Sequence, residues 1–158
     1  MPQSPASHHR QLRQPRGLLE WREPGTRLAV LHDMSASRLL VVDDQAAIRD
    51  LVAIILTADG HQVTTASDGA EALRLLERQP PYDLIVSDLK MPNLDGPSLY
   101  LELSRRWPDS RPHLLFMSGF IDSPEYAGFL QETKVPVLLK PFDVDHLSHV
   151  VSGILQQP

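Results

Sequence analysis

The segment Arg38-Leu39-Leu40-Val41-Val42-Asp43-Asp44 decides the fold class. Its four consecutive aliphatic residues, two of them β-branched, are typical of a short strand that is buried on both faces, as in a parallel sheet. An apolar stripe at helical spacing follows, formed by Ile48, Leu51, Val52 and Ile55. Gly60 then stands where glycine favours the end of a helix. A strand followed by such a helix predicts the first unit of an α/β fold.

The same strand-then-helix pattern continues to the end of the chain. Further strands are predicted at His61–Ala66, Leu84–Asp88, His113–Ser118 and Val135–Leu139. Helices are predicted over about 68–78, 97–106 and 123–132, and from Asp143 onward, with Asp68 and Glu71 resembling a capping box. Strands joined through helices run parallel, with right-handed connections. We therefore predict a doubly wound, flavodoxin-like α/β fold: a five-stranded parallel sheet of order 2-1-3-4-5, flanked by five helices.

Composition and charge narrow the possible functions. The chain has 158 residues and no cysteine, which excludes disulfides and thiolate metal sites. Its net charge is −5, and residues 1–33 carry a net of +2, so the remainder carries −7. An acidic domain argues against general binding of nucleic acid. No apolar run approaches the roughly 20 residues of a membrane helix, and no secretory signal is visible. We expect a cytoplasmic protein with no membrane or nucleic-acid partner.

Proline content divides the chain into two parts. Four prolines interrupt any periodic pattern in residues 1–36, which predicts a flexible N-terminal extension; a short edge strand at Leu28–Leu31 is the alternative within it. Residues 37–156 are predicted to form the folded domain, and a chain that begins at Met34 is expected to suffice. The predicted last helix ends the chain, so we expect output through a partner protein.

Five residues with ionisable or nucleophilic side chains stand at the carboxyl ends of predicted strands: Asp43, Asp44, Asp88, Ser118 and Lys140. Ligand sites of doubly wound sheets form beyond the carboxyl ends of the strands, so these side chains are expected to meet. Neighbouring carboxylates repel one another unless a cation intervenes, and oxygen-only ligands suit Mg²⁺. Taken singly, each aspartate is more often a turn or cap residue, and the serine and lysine are more often solvated. Taken together, they suit phosphoryl transfer to a carboxylate nucleophile.

Four ordered motifs closely resemble the receiver domains of bacterial response regulators. The motifs are Leu39–Asp44, Asp88–Pro92 with Asp95-Gly96, Met117–Gly119 and Lys140–Phe142. The resemblance covers about residues 37–156 and implies that Asp88 is the phosphoacceptor. It also implies a Mg²⁺ site formed by Asp43, Asp44, Asp88 and the backbone carbonyl of Lys90. Ser118, Gly119 and Lys140 are implied to contact the phosphoryl group, with the Lys140–Pro141 peptide bond in the cis form.

The resemblance further implies the partners. The phosphodonor would be a histidine kinase or a histidine phosphotransfer protein, and the downstream partner is an unknown protein. Such a domain phosphorylates itself from the donor and is not a turnover enzyme.

Val137 departs from the family pattern, because receivers usually carry an aromatic ring three residues before the lysine. That ring couples the site to the surface of helix four, strand five and helix five. Phe120 lies near enough in sequence to replace it, although the simpler interpretation is that Val137 only packs.

Two other functions compete with this interpretation. The first is a degenerate receiver that acts only as a protein-interaction module, which the valine at position 137 favours and the complete acidic and basic set opposes. The second is a Mg²⁺-dependent phosphohydrolase of the haloacid-dehalogenase type. Those enzymes carry a second aspartate two residues after the nucleophile, where this chain has Lys90.

Overall fold

Five parallel strands form the centre of the structure, a computed structural model that describes residues 36–78, 81–119 and 123–158. The strands are β1 (Arg38–Val42), β2 (Gln62–Ala66), β3 (Leu84–Asp88), β4 (His113–Ser118) and β5 (Val137–Leu139). The helices are α1 (Ala46–Ala58), α2 (Gly69–Arg78), α3 (Gly96–Arg106), α4 (Pro124–Thr133) and α5 (Val144–Leu155). The sheet order is β2-β1-β3-β4-β5, which confirms the predicted topology.

Successive residues of the inner strand β1 point into two different cores. Leu39 and Val41 belong to a core shared with α1 and α5. Leu40 and Val42 belong to a second core shared with α2 and α3. All four are fully buried, as a strand with helices on both faces requires. A third, smaller cluster beneath α4 contains Leu89, Phe116 and Tyr126.

Side-chain caps hold the starts of two helices. The Asp143 carboxylate accepts from His146 N–H at 2.7 Å, which confirms the predicted start of α5. The Asp95 carboxylate accepts from Ser98 N–H at 2.9 Å and caps α3, a role that the sequence did not predict. Gly60 follows α1 at φ 96°, a conformation that suits glycine.

The start of α2 differs in one bond from a capping box. The Asp68 carboxylate accepts from Glu71 N–H at 2.8 Å, as predicted. The Glu71 carboxylate, however, accepts from the main-chain N–H and the hydroxyl of Ser67 instead of the N–H of the cap residue.

Strand β5 is shorter than predicted, because it begins at Val137 and not at Val135. Lys134 ends α4 in a left-handed conformation with φ 56°, and Pro136 has no N–H to donate to a sheet. Strand β2 likewise begins one residue late, since His61 N–H is still bonded to the Leu56 carbonyl of α1.

Some predictions cannot be compared with the structure. The expectations for residues 1–36, except Ala36, and for Phe120 lie outside the described residues. Among the residues that are described, no helix has the length and apolar character needed to cross a membrane.

Candidate functional site

Three aspartates meet at the carboxyl edge of the sheet. Asp43 and Asp44 follow β1, and Asp88 is the last residue of β3. These strands are neighbours, with Val42 opposite Ser87 in the register, so their ends coincide. One carboxylate oxygen from each aspartate lies within 4.8 Å of the others. The predicted convergence of these side chains is therefore found in the structure.

Asp43 is fully buried and every polar group it carries is bonded. Its N–H donates to the Ala66 carbonyl at 3.2 Å, and its own carbonyl accepts from the Arg49 guanidinium at 2.8 Å. One carboxylate oxygen accepts from Gln45 N–H at 2.9 Å, and the other accepts from Lys140 Nζ at 3.1 Å. These bonds hold Asp43 in one place and compensate the burial of its charge.

Lys140 connects the end of β5 to the acidic cluster. Its Nζ lies 3.1 Å from Asp43 Oδ2 and 3.6 Å from Asp88 Oδ1. Its main-chain N–H donates to the Ser118 carbonyl at 2.8 Å, which places the ends of β4 and β5 side by side. The Lys140–Pro141 bond is cis, as expected. The ammonium therefore faces both the buried aspartate and Asp88.

The surroundings of Asp88 disfavour the charged form of its carboxyl group. Burial raises the pKa of Asp88 above its ordinary value, and the charges of Asp43 and Asp44 raise it further. The Lys140 ammonium and the Leu89 N–H oppose that rise in pKa without cancelling it. A cation between the carboxylates would relieve this repulsion, so the donor set fits a hard divalent ion such as Mg²⁺.

An open cleft of about 470 Å³ gives solvent access to these groups. Every candidate site residue except the buried Asp43 and the more distant Val137 lines it: Asp44, Asp88, Lys90, Ser118, Gly119 and Lys140. Lys90 and Gly119 are exposed, whereas Ser118 is buried. The cleft therefore bears both signs of charge and is open to solvent.

Val137 lies beside the cluster beneath α4 instead of in the cleft. It pairs with Phe116 in the sheet and packs half-buried against Leu89, Phe116 and Tyr126. Tyr126 is buried in that cluster. Burial raises the pKa of Tyr126, and the charges of Glu125, Asp95 and Asp88 add to that rise. The sequence did not single out Tyr126, because the apolar spacing along α4 does not distinguish a tyrosine from an ordinary core residue.

Arg49 and Gln45 were also missed by sequence reasoning. Both act on Asp43 through main-chain groups, Arg49 by donating to its carbonyl and Gln45 by donating its own N–H to the carboxylate. Contacts with main-chain groups can be made by many residue types, so no sequence motif indicates them.

Comparison with known proteins identifies relatives of most of the described chain. A family model described as the response regulator receiver domain matches residues 39–152. The transcriptional regulatory protein GlrR of Escherichia coli (strain K12) is 36% identical over 121 residues, covering 77% of this chain and 27% of GlrR. The sporulation initiation phosphotransferase F of Bacillus subtilis (strain 168) is 29% identical over 128 residues, covering 77% of this chain and 96% of that protein.

A solved structure agrees with these matches. The receiver domain of the sensor histidine kinase PA1611 from Pseudomonas aeruginosa PAO1 aligns with a TM-score of 0.69 at 26% identity, covering 78% of this chain and all of that one. That domain holds a magnesium ion in its active-site cleft. The chain spans only about a quarter of the length of GlrR, 27%.

Proposed function

The chain belongs to the response regulator receiver domain family of two-component signalling, and from this premise we propose that Asp88 accepts a phosphoryl group from a phosphohistidine donor. The donor would be a histidine kinase or a histidine phosphotransfer protein. The phosphorylated domain would then act on a downstream partner protein.

One observation carries this proposal: an acidic triad and an ammonium meet at a single solvent-accessible edge. The three carboxylates offer oxygens within 4.8 Å of one another, and Lys140 Nζ lies 3.6 Å from Asp88 Oδ1. Phosphoryl transfer needs a positioned nucleophile and neutralisation of charge on the phosphoryl oxygens, and little other covalent chemistry. This edge supplies the nucleophile and one positive charge from its own side chains.

Each residue of the site has its own role in the proposed reaction. An Asp88 carboxylate oxygen attacks phosphorus, the bond from phosphorus to the imidazole nitrogen breaks, and the imidazole leaves with that electron pair. Lys140 neutralises the transferred oxygens, while the Ser118 hydroxyl and the Gly119 N–H donate hydrogen bonds to them. Asp43, Asp44, Asp88 and the Lys90 carbonyl would hold Mg²⁺, which supplies charge neutralisation at the phosphoryl oxygens.

Phosphoryl uptake tests this proposal directly. The protein is incubated with Mg²⁺ and either acetyl phosphate or a phosphorylated histidine donor, and the intact mass is measured. The wild-type chain should gain one phosphoryl group, and Asp88→Asn should gain none. Asp109→Asn removes the same charge from an exposed loop residue and should be labelled like wild type. Normal labelling of Asp88→Asn would show that another residue is the acceptor.

The same experiment separates the competing functions. A wild-type chain that is never labelled would support a degenerate receiver that only binds partners. Sustained release of phosphate from an ester substrate would support a phosphohydrolase, although Lys90 occupies the position of that class's second aspartate and its side chain is exposed. The expected absence of a nucleic-acid partner stays a prediction, since GlrR is a transcriptional regulatory protein of which this chain covers 27%.

A further inference from the structure

Arg49 occupies an unusual place beside the acidic cluster. It lies in the first turn of α1, half-buried, and its Nη1 donates to the main-chain carbonyl of Asp43 at 2.8 Å. Its own N–H donates to the Gln45 carbonyl at 3.0 Å. Within the described ranges Arg49 makes no ion pair with a carboxylate, although it adjoins an acidic turn. Its guanidinium therefore contacts the backbone of that turn and not its negative charge.

The carbonyl that Arg49 holds belongs to the peptide joining Asp43 to Asp44. A peptide unit is planar, so fixing its oxygen fixes the direction of the Asp44 N–H and restricts where the Asp44 side chain points. The other end of this unit is already anchored, because Asp43 is bonded through its N–H and both carboxylate oxygens. The Asp43 side of the turn is thus held through both its backbone and its side chain.

Asp44 depends on this arrangement more than its neighbours do. Its side chain is exposed, and in the described part of the chain no hydrogen bond to its carboxylate is found. Its carboxylate nevertheless lies within the 4.8 Å cluster with Asp43 and Asp88. Backbone geometry, and not side-chain bonding, therefore keeps Asp44 directed at the site.

We propose that Arg49 is a positioning residue of the metal site, which holds the Asp43–Asp44 peptide so that Asp44 projects toward Asp88. This inference rests on the proposed function, because it assumes that the acidic cluster binds Mg²⁺. Preorganisation of ligands by surrounding hydrogen bonds increases metal affinity. The charge of Arg49, by contrast, repels a cation. The two effects have opposite signs, so the effect of removing Arg49 reveals which dominates.

The first test is a Mg²⁺ titration of Arg49→Met and the wild-type protein, followed by amide chemical shifts or calorimetry. Methionine keeps much of the apolar stem and removes both the charge and the donors. The proposal expects Kd for Mg²⁺ to rise by on the order of tenfold. An unchanged or lower Kd would overturn it. Arg105→Met is the matched control: it removes an equal charge from α3, where the side chain is 68% exposed, and should leave Kd unchanged.

A double-mutant cycle asks whether Arg49 acts through Asp44. In an Asp44→Asn background, Arg49→Met should raise Kd for Mg²⁺ by no more than about twofold. The reason is that Asp44→Asn already removes the ligand that Arg49 positions, so the two substitutions are not additive. A full additional loss of affinity in that background would show that Arg49 does not act through Asp44. Circular dichroism and thermal unfolding check each variant, and if Arg49→Met does not fold, Arg49→Gln is judged by the same outcomes.

Failure of this inference and failure of the proposed function are distinguishable. A wild-type protein that binds no Mg²⁺ removes the proposed metal site and the role of Arg49 together. A wild-type protein that binds Mg²⁺, with Arg49→Met binding it equally well, leaves the proposed function intact and removes only the positioning role.

Discussion

At the scale of single residues, Asp43 and Asp88 show that carboxylates at the ends of neighbouring strands can have different surroundings. Asp43 is fully buried, but Lys140 and the Gln45 N–H compensate its charge. Asp88 has a longer ion pair of 3.6 Å with Lys140 and the help of the Leu89 N–H, and burial still raises its pKa. The charged Asp88 carboxylate therefore lowers the stability of the metal-free protein, and a bound cation would relieve that effect.

We predict that Asp88→Asn stabilises the metal-free protein. A carboxyl group whose pKa is raised on folding opposes folding at every pH above its unfolded pKa. The near-isosteric amide removes this term, so the free energy of unfolding in a chelating buffer at pH 7 should rise by on the order of 1 kcal/mol. Urea denaturation of both proteins measures the difference.

The pH dependence of that difference has a definite sign. As the pH falls through the raised pKa of Asp88 toward the ordinary value of 3.8, the wild-type carboxyl group takes up its proton. The advantage of Asp88→Asn should then disappear, whereas at higher pH it should be present in full. Added Mg²⁺ should reverse the order of stability, because it binds the intact carboxylate cluster better. A variant that is less stable than wild type without metal contradicts the prediction.

At the scale of elements, the start of α3 is packed closely against the sheet. Gly96 is the first residue of that helix, and Asp95 caps it. A Cβ atom added at Gly96 would lie 2.8 Å from Phe116 Cε1 and 3.1 Å from Leu89 Cα. Leu89 directly follows the phosphoacceptor candidate Asp88, so this contact fixes the helix relative to the site.

Two matched glycine substitutions test that close packing. Gly96→Ala should lower the free energy of unfolding by roughly 1–3 kcal/mol, because the added methyl group overpacks the contact with Leu89 and Phe116. Gly153→Ala, in α5, meets no atom within 4 Å and should raise stability by about 0.5–1 kcal/mol through helix propensity. Thermal or urea denaturation measures both. Equal effects of the two substitutions would mean that the contact at Gly96 relaxes without cost.

Strand β5 and α4 set how far a change at Asp88 spreads. Val137 is stiff at χ1 and packs against Phe116 and Tyr126, so it cannot alternate between inward and outward positions as a ring does. A ligand shifts a conformation only if it interacts differently with two states. We therefore expect the response to concentrate in the loops after β3 and β4.

Amide chemical-shift mapping with Mg²⁺ and the phosphate analogue beryllofluoride measures this spread. Shifts should be large around Lys90–Gly96 and in the segment after Gly119, and small around Val137. Shifts across β5 and the outer face of α5 as large as those beside Asp88 would show that another residue provides the coupling. Tyr126, buried in the same cluster as Val137, would then be the first residue to replace.

At the scale of the whole molecule, the family match and the sheet coincide. The match covers residues 39–152, and the described strands and helices extend from Arg38 to Leu155. The described residues of the two larger cores all belong to this region. All the groups needed for phosphoryl uptake in the proposed function also belong to it.

We predict that a chain beginning at Met34 folds and accepts a phosphoryl group at the rate and stoichiometry of the full chain. The described residues of the two larger cores and of the acidic cluster all lie after position 34. Intact-mass labelling and thermal unfolding of the two chains provide the comparison. A lower melting temperature or slower labelling of the shorter chain would show that residues 1–33 contribute to the domain.

The sequence by itself determined the order of the elements, the parallel sheet and which residues end its strands. These features depend on neighbours along the chain: aliphatic runs such as Leu39–Val42, helical periodicity, and cap residues such as Asp68 and Asp143. The sequence also predicted that the side chains after the strands would meet, because parallel strands bring their carboxyl ends to one edge.

Tertiary structure alone decided how those residues interact. Lys140 lies 97 positions from Asp43, and only packing shows that its ammonium bonds Asp43 more closely than Asp88. Packing also decides the burial that raises the pKa of Asp88, and the backbone contact of Arg49. The physical reason is that periodicity and caps are local, whereas distance, desolvation and charge environment depend on residues that are remote in sequence and adjacent only after folding.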